Sequence, residues 1–120
     1  MKLIGVGTDV IEVSRIKDAM SDENFLTRIL SPREKEFLDS KNANAQTIAG
    51  RFAAKEAISK ALGTGFRGDI TASNIEIINN ELGKPIVTLH SEEFKDVLFQ
   101  LSIAHIDEIA MACAVAYKED

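Results

Sequence analysis

An aspartate stands in an apolar, β-rich stretch near the start of the chain, where this residue type is uncommon. The stretch reads L-I-G-V-G-T-D-V-I-E-V, and Asp9 follows Gly5 and Gly7 within it. A carboxylate in such a run is normally neutralised by an opposite charge or bound to a metal ion, because an unpaired charge is costly to bury. On this pattern alone two roles stay open for Asp9: an ion pair or cap, and a ligand in a functional site.

A second acid and a base occur together in the stretch A-G-R-F-A-A-K-E-A-I-S-K-A-L-G-T-G. Glu56 and Lys60 are one helical turn apart, with the acid N-terminal to the base, which is the favourable order for an ion pair on a helix. Such a pair is the plain structural interpretation of these two residues. His105 is a further candidate, because histidine has the side-chain pKa nearest to working pH and can act as a general acid or base.

The stretch that carries Glu56 and Lys60 is predicted to be the central helix. Alanine, leucine, lysine and glutamate dominate it and no proline interrupts it, so helix propensity favours a helix from about Asn44 to Leu62. Gly63 supplies a C-terminal stop. Large apolar residues fall on one side and small residues on the other, which leaves little of the circumference for water and predicts a buried helix.

The stretch around Asp9 is predicted to be the first strand, about ten residues long. Gly5 and Gly7 leave the Asp9 face of that strand without side chains, which permits close approach by a helix or a ligand. Strand alternation places on this same face Leu3, Asp9 and Ile11. The opposite face is predicted to carry Ile4, Val6, Thr8 and Val10.

Short helices are predicted between the first strand and the central helix. Ser14 and Ser21 each have the residue type of an N-cap and are each predicted to begin a short amphipathic helix. Ser31-Pro32-Arg33-Glu34 combines an N-cap serine, a proline at the first helical position and a glutamate at the third. This capping box predicts a third helix that runs to about Ser40.

The second half of the chain is predicted to form two hairpins and one more helix. Residues 74–78 and 86–89 form the first hairpin, and Ser91 caps a helix bearing Phe94, Val97, Leu98 and Leu101. The closing hairpin joins 101–106 to 109–117, and both faces of its last strand are apolar, so an oligomer is expected. The fold class is α+β: a small mixed domain with a short, mainly antiparallel sheet packed on the long central helix.

Composition bounds the class of protein. A length of 120 residues, with 45% hydrophobic and 28% charged, predicts one soluble domain spanning residues 1–120. No apolar run could cross a bilayer and the start lacks a secretory signal, so a cytoplasmic protein with no membrane partner is expected. Cys113, the single cysteine, is predicted to be a core residue. A net charge of −5 argues against nucleic-acid binding, although most basic residues lie in the first half.

Two long motifs and a shorter one resemble the holo-acyl-carrier-protein synthase family. They are G-V-G-T-D-V-I-E-V-S-R-I at 5–16, G-R-F-A-A-K-E-A-I-S-K-A-L-G-T-G at 50–65 and N-E-L-G-K-P at 80–85, and the closing S-I-A-H at 102–105 is similar too. The resemblance implies a 4′-phosphopantetheinyl transferase of the small class, a mixed α/β domain that assembles as a homotrimer with active sites between subunits. The implied reaction moves phosphopantetheine from coenzyme A to a serine of apo acyl carrier protein, releases adenosine 3′,5′-bisphosphate and serves fatty acid biosynthesis.

The resemblance also implies roles for the charged residues described above. Asp9 and Glu56 would hold Mg²⁺ on the coenzyme A pyrophosphate, and Lys60 would add a second positive charge beside them. Glu56, a metal-bound water and His105 are all candidates for the base that accepts the serine proton. Ala104 replaces the second serine of the commoner S-x-S-H motif, so a hydroxyl that could bond phosphate or ribose is missing there.

Contacts with coenzyme A and with the carrier protein are implied by the same motifs. The residues implied for coenzyme A are Arg51, Lys60, Gly63, Gly65, Lys84, Pro85 and His105. Those implied for docking the acidic carrier protein are Arg15, Lys17 and Arg28. Two other interpretations stay open: a non-catalytic coenzyme A-binding subunit, which would not need both carboxylates, and a structural trimer, which the alanine face of the last strand would explain.

Overall fold

The chain folds into four helices and five strands, so the predicted α+β class is confirmed. The computed structural model describes all residues from 1 to 120. No helix combines the length and the apolar character needed to cross a bilayer. The elements in chain order are β1 (Lys2–Glu12), α1 (Val13–Ala19), α2 (Glu23–Ile29), α3 (Pro32–Ser40), α4 (Ala45–Leu62), β2 (Ile75–Asn79), β3 (Pro85–Leu89), β4 (Leu98–His105) and β5 (Ile109–Lys118).

The strands form two separate antiparallel sheets. The larger sheet has the order β1-β5-β4, so the last strand of the chain lies at its centre, and β2 pairs only with β3. Ile75 lies opposite Leu89 in the small sheet, and His105 lies opposite Ala110 in the large one. Both predicted hairpins are therefore confirmed.

Helix α4 is the buried helix that the sequence predicts. The Asn44 side chain accepts a hydrogen bond from the Thr47 amide at its start, and Gly63 ends it in the left-handed conformation with φ 81°. The helix packs on the large sheet and on the small one, so it is covered on most sides. The buried core around it consists of Ala53, Ala54, Ala57, Ile58, Ala61, Ile70, Ile75, Ile77, Val97, Ala112, Ala114 and Ala116.

The contact between α4 and β1 joins backbone to backbone. A Cβ atom added to Gly5 would collide with the carbonyl oxygen of Ala61, and one added to Gly7 would collide with the carbonyl oxygen of Ala57. The gap that the sequence predicts on this face of β1 is thus filled by the helix. Because no side chain separates the two elements, the residues that follow Gly7 on β1 are held close to α4.

A β-bulge near the start of β1 makes the alternation of its side chains differ from the predicted one. The pairing register with β5 shifts between Leu3 and Gly5, because β1 has one extra residue there. The side chains that precede this residue therefore point to the opposite face of the sheet from the one that strict alternation predicts. Ile4 consequently packs against the core, while Leu3 is 56% exposed. The prediction that Ile4 shares the face of Val6 and that Leu3 shares the face of Asp9 is therefore wrong.

The starts of the first two helices also differ from the prediction. Glu12 is the N-cap residue of α1 and its side chain makes no capping hydrogen bond, so Ser14 lies inside the helix. The N-cap of α2 is Asp22, one residue after the predicted Ser21. The Ser21 hydroxyl instead donates to the Asp18 carbonyl oxygen at 2.8 Å, which closes the turn that ends α1.

The prediction of a helix after Ser91 is wrong. Residues 92–97 form turns, and β4 begins at Leu98. The apolar residues Leu98 and Leu101, which fit a helical spacing in the sequence, lie in a strand that pairs with β5 along its whole length. The run of apolar residues is too short to distinguish the two-residue repeat of a strand from the 3.6-residue repeat of a helix. The conformation is therefore decided by pairing with β5, which is distant in the sequence.

The two faces of β5 have different surroundings. One face is buried beneath α4, and it consists of Ala110, Ala112, Ala114 and Ala116. The other face is continuous with exposed apolar residues of β1: Met111 is 47% exposed, Val6 57% and Val10 64%. Cys113 lies on this second face and is only half-buried, so the prediction of a core cysteine is wrong. The alanine face is covered within the chain, so of the two faces of β5 only the opposite one is open to a partner.

Candidate active site

Asp9 and Lys60 form the centre of an open charged site at the contact of β1 and α4. The Lys60 Nζ atom donates to Asp9 Oδ1 at 3.1 Å and to the Thr8 carbonyl oxygen at 3.0 Å. The Asp9 side chain is 18% exposed and that of Lys60 is 53% exposed. The carboxylate is therefore held in the fold, whereas the lysine reaches it from the solvent side.

Glu56 lies beside this pair without joining it. Burial raises the pKa of the Glu56 carboxyl, the negative charge of Asp9 raises this pKa further, and Lys60 opposes the rise. The predicted ion pair between Glu56 and Lys60 is not formed, because Lys60 contacts Asp9 and the Thr8 carbonyl instead. The site thus holds two carboxylates and one ammonium group, which pairs with Asp9 and leaves Glu56 without an ion-pair partner.

The chemistry of these groups fits a Mg²⁺ site completed by a substrate. Mg²⁺ prefers oxygen ligands and is usually held by one or two carboxylates together with substrate phosphates and water. Asp9 and Glu56 supply two carboxylates, and only Asp9 forms an ion pair, with Lys60. Nowhere does the chain bring three His, Cys, Asp or Glu side chains together in an arrangement that could hold a metal ion.

Arg51, Pro85 and His105 line a second cleft, of about 340 Å³, on the other part of α4. The Arg51 side chain is 4% exposed, it donates to Asn79 Oδ1, and its Nε atom has no partner. Burial lowers the pKa of its guanidinium group and the charge of Glu34 opposes this shift, although no carboxylate is close enough to form an ion pair with Arg51. A buried positive charge with unused donors suits a bound anion such as a phosphate.

Other residues predicted for coenzyme A lie at the margins of these two sites. Lys84 is exposed at the start of β3 and lines a neighbouring apolar groove together with Pro85. Gly63 and Gly65 both have positive φ values, 81° and 63°, in the loop that follows α4. Lys60 belongs to the Asp9 site, so the structure divides the predicted contacts among several places on one chain.

The Asp9 site and the Arg51 cleft are separate groups within one chain. Asp9 lies on β1 and His105 on β4, which are opposite edges of the large sheet. Neighbouring strands are about 4.8 Å apart, so these edges are roughly 10 Å from each other. His105 is thus not brought into contact with Asp9, Glu56 or Lys60 in a single chain.

The residues predicted for docking a carrier protein lie on the first two helices. Arg15 and Lys17 are exposed on α1, which follows β1 directly. Arg28 is exposed at the end of α2, where its NH2 atom lies 3.9 Å from Asp22 Oδ2. Arg15 and Lys17 make no ion pair, so of the three residues only Arg28 has a nearby carboxylate.

Two features of the site were missed by sequence reasoning. Asn79, interpreted only as a turn residue, accepts a hydrogen bond from Arg51. Lys55, adjacent to Glu56, is fully buried and donates to Glu34 Oε1 at 2.6 Å. The capping box identified Glu34 as an N-terminal residue of α3, and a lysine among buried alanines could have indicated a partner for it.

Comparison with known proteins identifies the family. The sequence profile of the 4′-phosphopantetheinyl transferase superfamily matches residues 5–114. A holo-acyl-carrier-protein synthase of Clostridium acetobutylicum is 49% identical over 119 residues, which cover 92% of this chain and 94% of the relative. One of Clostridium perfringens is 44% identical over 128 residues, which cover 98% of this chain and 96% of the relative.

The fold agrees with a solved structure of the same kind of protein. A crystal structure of a holo-acyl-carrier-protein synthase from Bacillus anthracis in complex with CoA (3′,5′-ADP) superposes with a TM-score of 0.85 and is 35% identical in sequence. The match covers 99% of this chain and 100% of that one. The chain therefore belongs to the 4′-phosphopantetheinyl transferase superfamily and is an enzyme of the holo-acyl-carrier-protein synthase family.

Proposed function

We propose that the chain, acting as one unit over residues 1–120, transfers 4′-phosphopantetheine from coenzyme A to a serine of apo acyl carrier protein. The products are holo acyl carrier protein and adenosine 3′,5′-bisphosphate, the reaction depends on Mg²⁺, and the holo protein serves fatty acid biosynthesis. The observation that carries the proposal is the open site in which two carboxylates, Asp9 and Glu56, lie together with one lysine that pairs only with Asp9. The cytoplasmic location stays a prediction.

Asp9 and Glu56 would hold the metal ion. When bound, Mg²⁺ supplies positive charge that stabilises the leaving phosphate in the transition state. Lys60 adds a positive charge from the chain itself, since its ammonium group already lies at this site and its side chain is half exposed. These residues would contribute to catalysis by stabilising charge in the transition state.

The Arg51 cleft is the proposed site for the nucleotide phosphates of coenzyme A. The Arg51 guanidinium group is buried, lacks a carboxylate partner and lines the same cleft as Pro85 and His105. Gly63, Gly65 and Lys84 are proposed to contact other parts of the same molecule. The Bacillus anthracis relative was solved in complex with CoA (3′,5′-ADP), which supports a nucleotide site in this family.

We propose Glu56 as the group that takes the serine proton, with a metal-bound water as the alternative. Its carboxyl lies beside Asp9 and Lys60, where the metal ion and the leaving phosphate would bind. His105 lies in the Arg51 cleft on the opposite edge of the sheet, and we assign it a supporting role with the nucleotide.

The proposed assembly is a homotrimer with active sites between subunits. The exposed apolar face formed by Val6, Val10 and Met111 needs a cover, and a second copy of the chain would supply one. Contact between copies would also let the Asp9 site of one chain meet the Arg51 cleft of another. The acidic carrier protein is proposed to dock on Arg15 and Lys17, with Arg28 beside them.

One assay tests the proposed function against the two alternatives. Purified protein is incubated with coenzyme A, apo acyl carrier protein and Mg²⁺, and the mass of the carrier and the release of adenosine 3′,5′-bisphosphate are followed. We expect both signals with Mg²⁺ and neither after EDTA treatment. Coenzyme A binding without transfer would favour a non-catalytic binding subunit, and neither binding nor transfer would favour a structural trimer.

A further inference from the structure

Lys60 lies where a metal ion would bind Asp9. Its ammonium group contacts two oxygen atoms, Asp9 Oδ1 at 3.1 Å and the Thr8 carbonyl at 3.0 Å. Oxygen atoms of these two kinds are also ligands for hard cations. The carboxylate of Glu56, next to them, accepts no hydrogen bond from any protein donor, so the site has one cation for two carboxylates.

The contact between Lys60 and Asp9 is exposed and can be broken easily. Its side chain is 53% exposed, whereas Asp9 is 18% exposed, so the ammonium group reaches the carboxylate along the surface and not through the core. Lysine carries a compact charge on a flexible stem, and an exposed ion pair of this kind contributes only about 0–1 kcal/mol. Breaking the contact between Lys60 and Asp9 is thus a small cost.

We propose that Lys60 is a built-in counter-ion of the metal site, which neutralises Asp9 in the metal-free enzyme and moves from Asp9 to the substrate pyrophosphate when metal and coenzyme A bind. The inference rests on the proposed function, because it needs a divalent cation at Asp9 and Glu56. It adds a consequence that the proposed function does not contain: when coenzyme A is absent, Lys60 weakens metal binding at Asp9.

This effect of Lys60 follows from the charges at the site. A divalent cation that binds alone must displace the ammonium group from Asp9 and then remain beside it, which is electrostatically unfavourable. Coenzyme A brings phosphates that give Lys60 a new partner, so the same cation then binds without that repulsion. Because linkage is reciprocal, the metal increases the affinity for coenzyme A by the factor by which coenzyme A increases the affinity for the metal.

The test measures binding of Mn²⁺, used as a paramagnetic substitute for Mg²⁺, by electron paramagnetic resonance with and without coenzyme A. Lys60→Met removes the ammonium group, and we expect it to bind Mn²⁺ about tenfold more tightly than wild type when coenzyme A is absent. Coenzyme A should raise the Mn²⁺ affinity of wild type strongly and that of Lys60→Met much less. Lys60→Arg keeps the charge and should behave like wild type.

A matched control is available on α3. Lys35 is paired with Asp39 at 2.9 Å, much as Lys60 is paired with Asp9, but away from the candidate active site. Lys35→Met should leave the Mn²⁺ affinity unchanged. If Lys60→Met binds Mn²⁺ no more tightly than wild type without coenzyme A, while Asp9→Asn still abolishes Mn²⁺ binding, the inference about Lys60 is overturned and the proposed function is not. Equal Mn²⁺ binding by wild type and Asp9→Asn would overturn the metal assignment of the proposed function as well.

Discussion

Helix α4 supplies the lysines of two lysine–carboxylate pairs that differ in exposure, in distance and in the number of their partners. Lys55 and Glu34 are both 0% exposed, and their charged atoms lie 2.6 Å apart. Lys60 and Asp9 are 53% and 18% exposed, and their charged atoms lie 3.1 Å apart. The first pair is closed to solvent and the second is open to it.

The closed pair has all the partners that it needs. Glu34 accepts hydrogen bonds from Lys55, from the Ser31 amide and from the Ile77 amide, while Lys55 also donates to the Ala72 carbonyl oxygen. The open pair has fewer partners, and Glu56 beside it has none. The hydrogen bonds of the closed pair are complete, and they join α3, α4 and β2. Those of the open pair are incomplete, so carboxylate oxygen atoms remain free to bind a ligand.

Neutralising the open site should have the largest effect on activity. Asp9→Asn and Glu56→Gln keep the shape of each side chain and remove the charge that would hold Mg²⁺. Each should lower turnover by roughly 10²–10³-fold while changing stability little. Steady-state kinetics at saturating Mg²⁺ measure this loss, and Asp39→Asn, at an exposed aspartate that also pairs with a lysine, serves as the control. Wild-type turnover in either site variant would refute the assignment.

Breaking the closed pair should instead damage stability. Lys55→Met leaves Glu34 charged and buried without its cation, and loss of one partner of a buried pair costs about 3–5 kcal/mol of unfolding free energy. Lys60→Met should cost less than about 1 kcal/mol, because its ion pair is exposed. Urea unfolding of the two variants gives both numbers. Equal costs for the two lysines would show that the distinction between closed and open pairs is wrong.

A variant of the exposed apolar face tests whether another copy of the chain completes the open site. Met111→Arg places a charge on the exposed apolar face, and we expect a monomer with little or no transferase activity. Sedimentation velocity and the transfer assay report the two properties. Leu82→Arg is the matched control, since Leu82 is 94% exposed at the turn between β2 and β3 and lies outside that face. A fully active monomer of Met111→Arg would exclude a site shared between subunits.

Arg15 tests whether the carrier protein approaches the open pair from α1. Arg15→Glu should raise KM for the carrier protein about tenfold, leave KM for coenzyme A nearly unchanged and flatten the dependence on salt, because exposed charges steer association. Arg28→Glu should have a smaller effect, since Asp22 already lies near Arg28. Equal increases of both KM values in Arg15→Glu would place Arg15 at the nucleotide site.

The smallest expected effect is a pH-dependent gain in stability from Glu56→Gln. The folded-state pKa of Glu56 is raised by burial and by Asp9, so its charged form is penalised in the folded protein. This penalty is absent below the unfolded-state pKa and fully present above the folded-state pKa. Glu56→Gln should therefore have a slightly higher Tm than wild type at pH 7 and an equal Tm near pH 3. A lower Tm of the variant at pH 7 would contradict this sign.

Local signals predicted most of the framework. Ser31 does form the predicted capping box, with its hydroxyl accepting from the Glu34 amide and the Glu34 carboxylate accepting from the Ser31 amide. Asn44 and Gly63 bound α4 as the sequence indicates. These features depend on residues within one turn of each other, so they can be recognised without knowing the fold.

Features that depend on distant residues could not be predicted in the same way. Lys60 could pair with Glu56 one turn away or with Asp9 at a distance of 51 residues, and only the packing of β1 on α4 decides between them. The partner of Lys55 is likewise 21 residues away. The sequence thus predicts Asp9, Glu56 and Lys60 as a group, but the pairing among them follows from tertiary structure.

The direct contact of Gly5 and Gly7 with the carbonyl oxygens of α4 has a consequence for how such chains can diverge. At these two positions the spacing between the strand that bears Asp9 and the helix that bears Glu56 is set by backbone atoms, with no side chain between them. A single methyl group at either glycine would separate them, so we expect selection to act on these two positions as strictly as on the acids themselves.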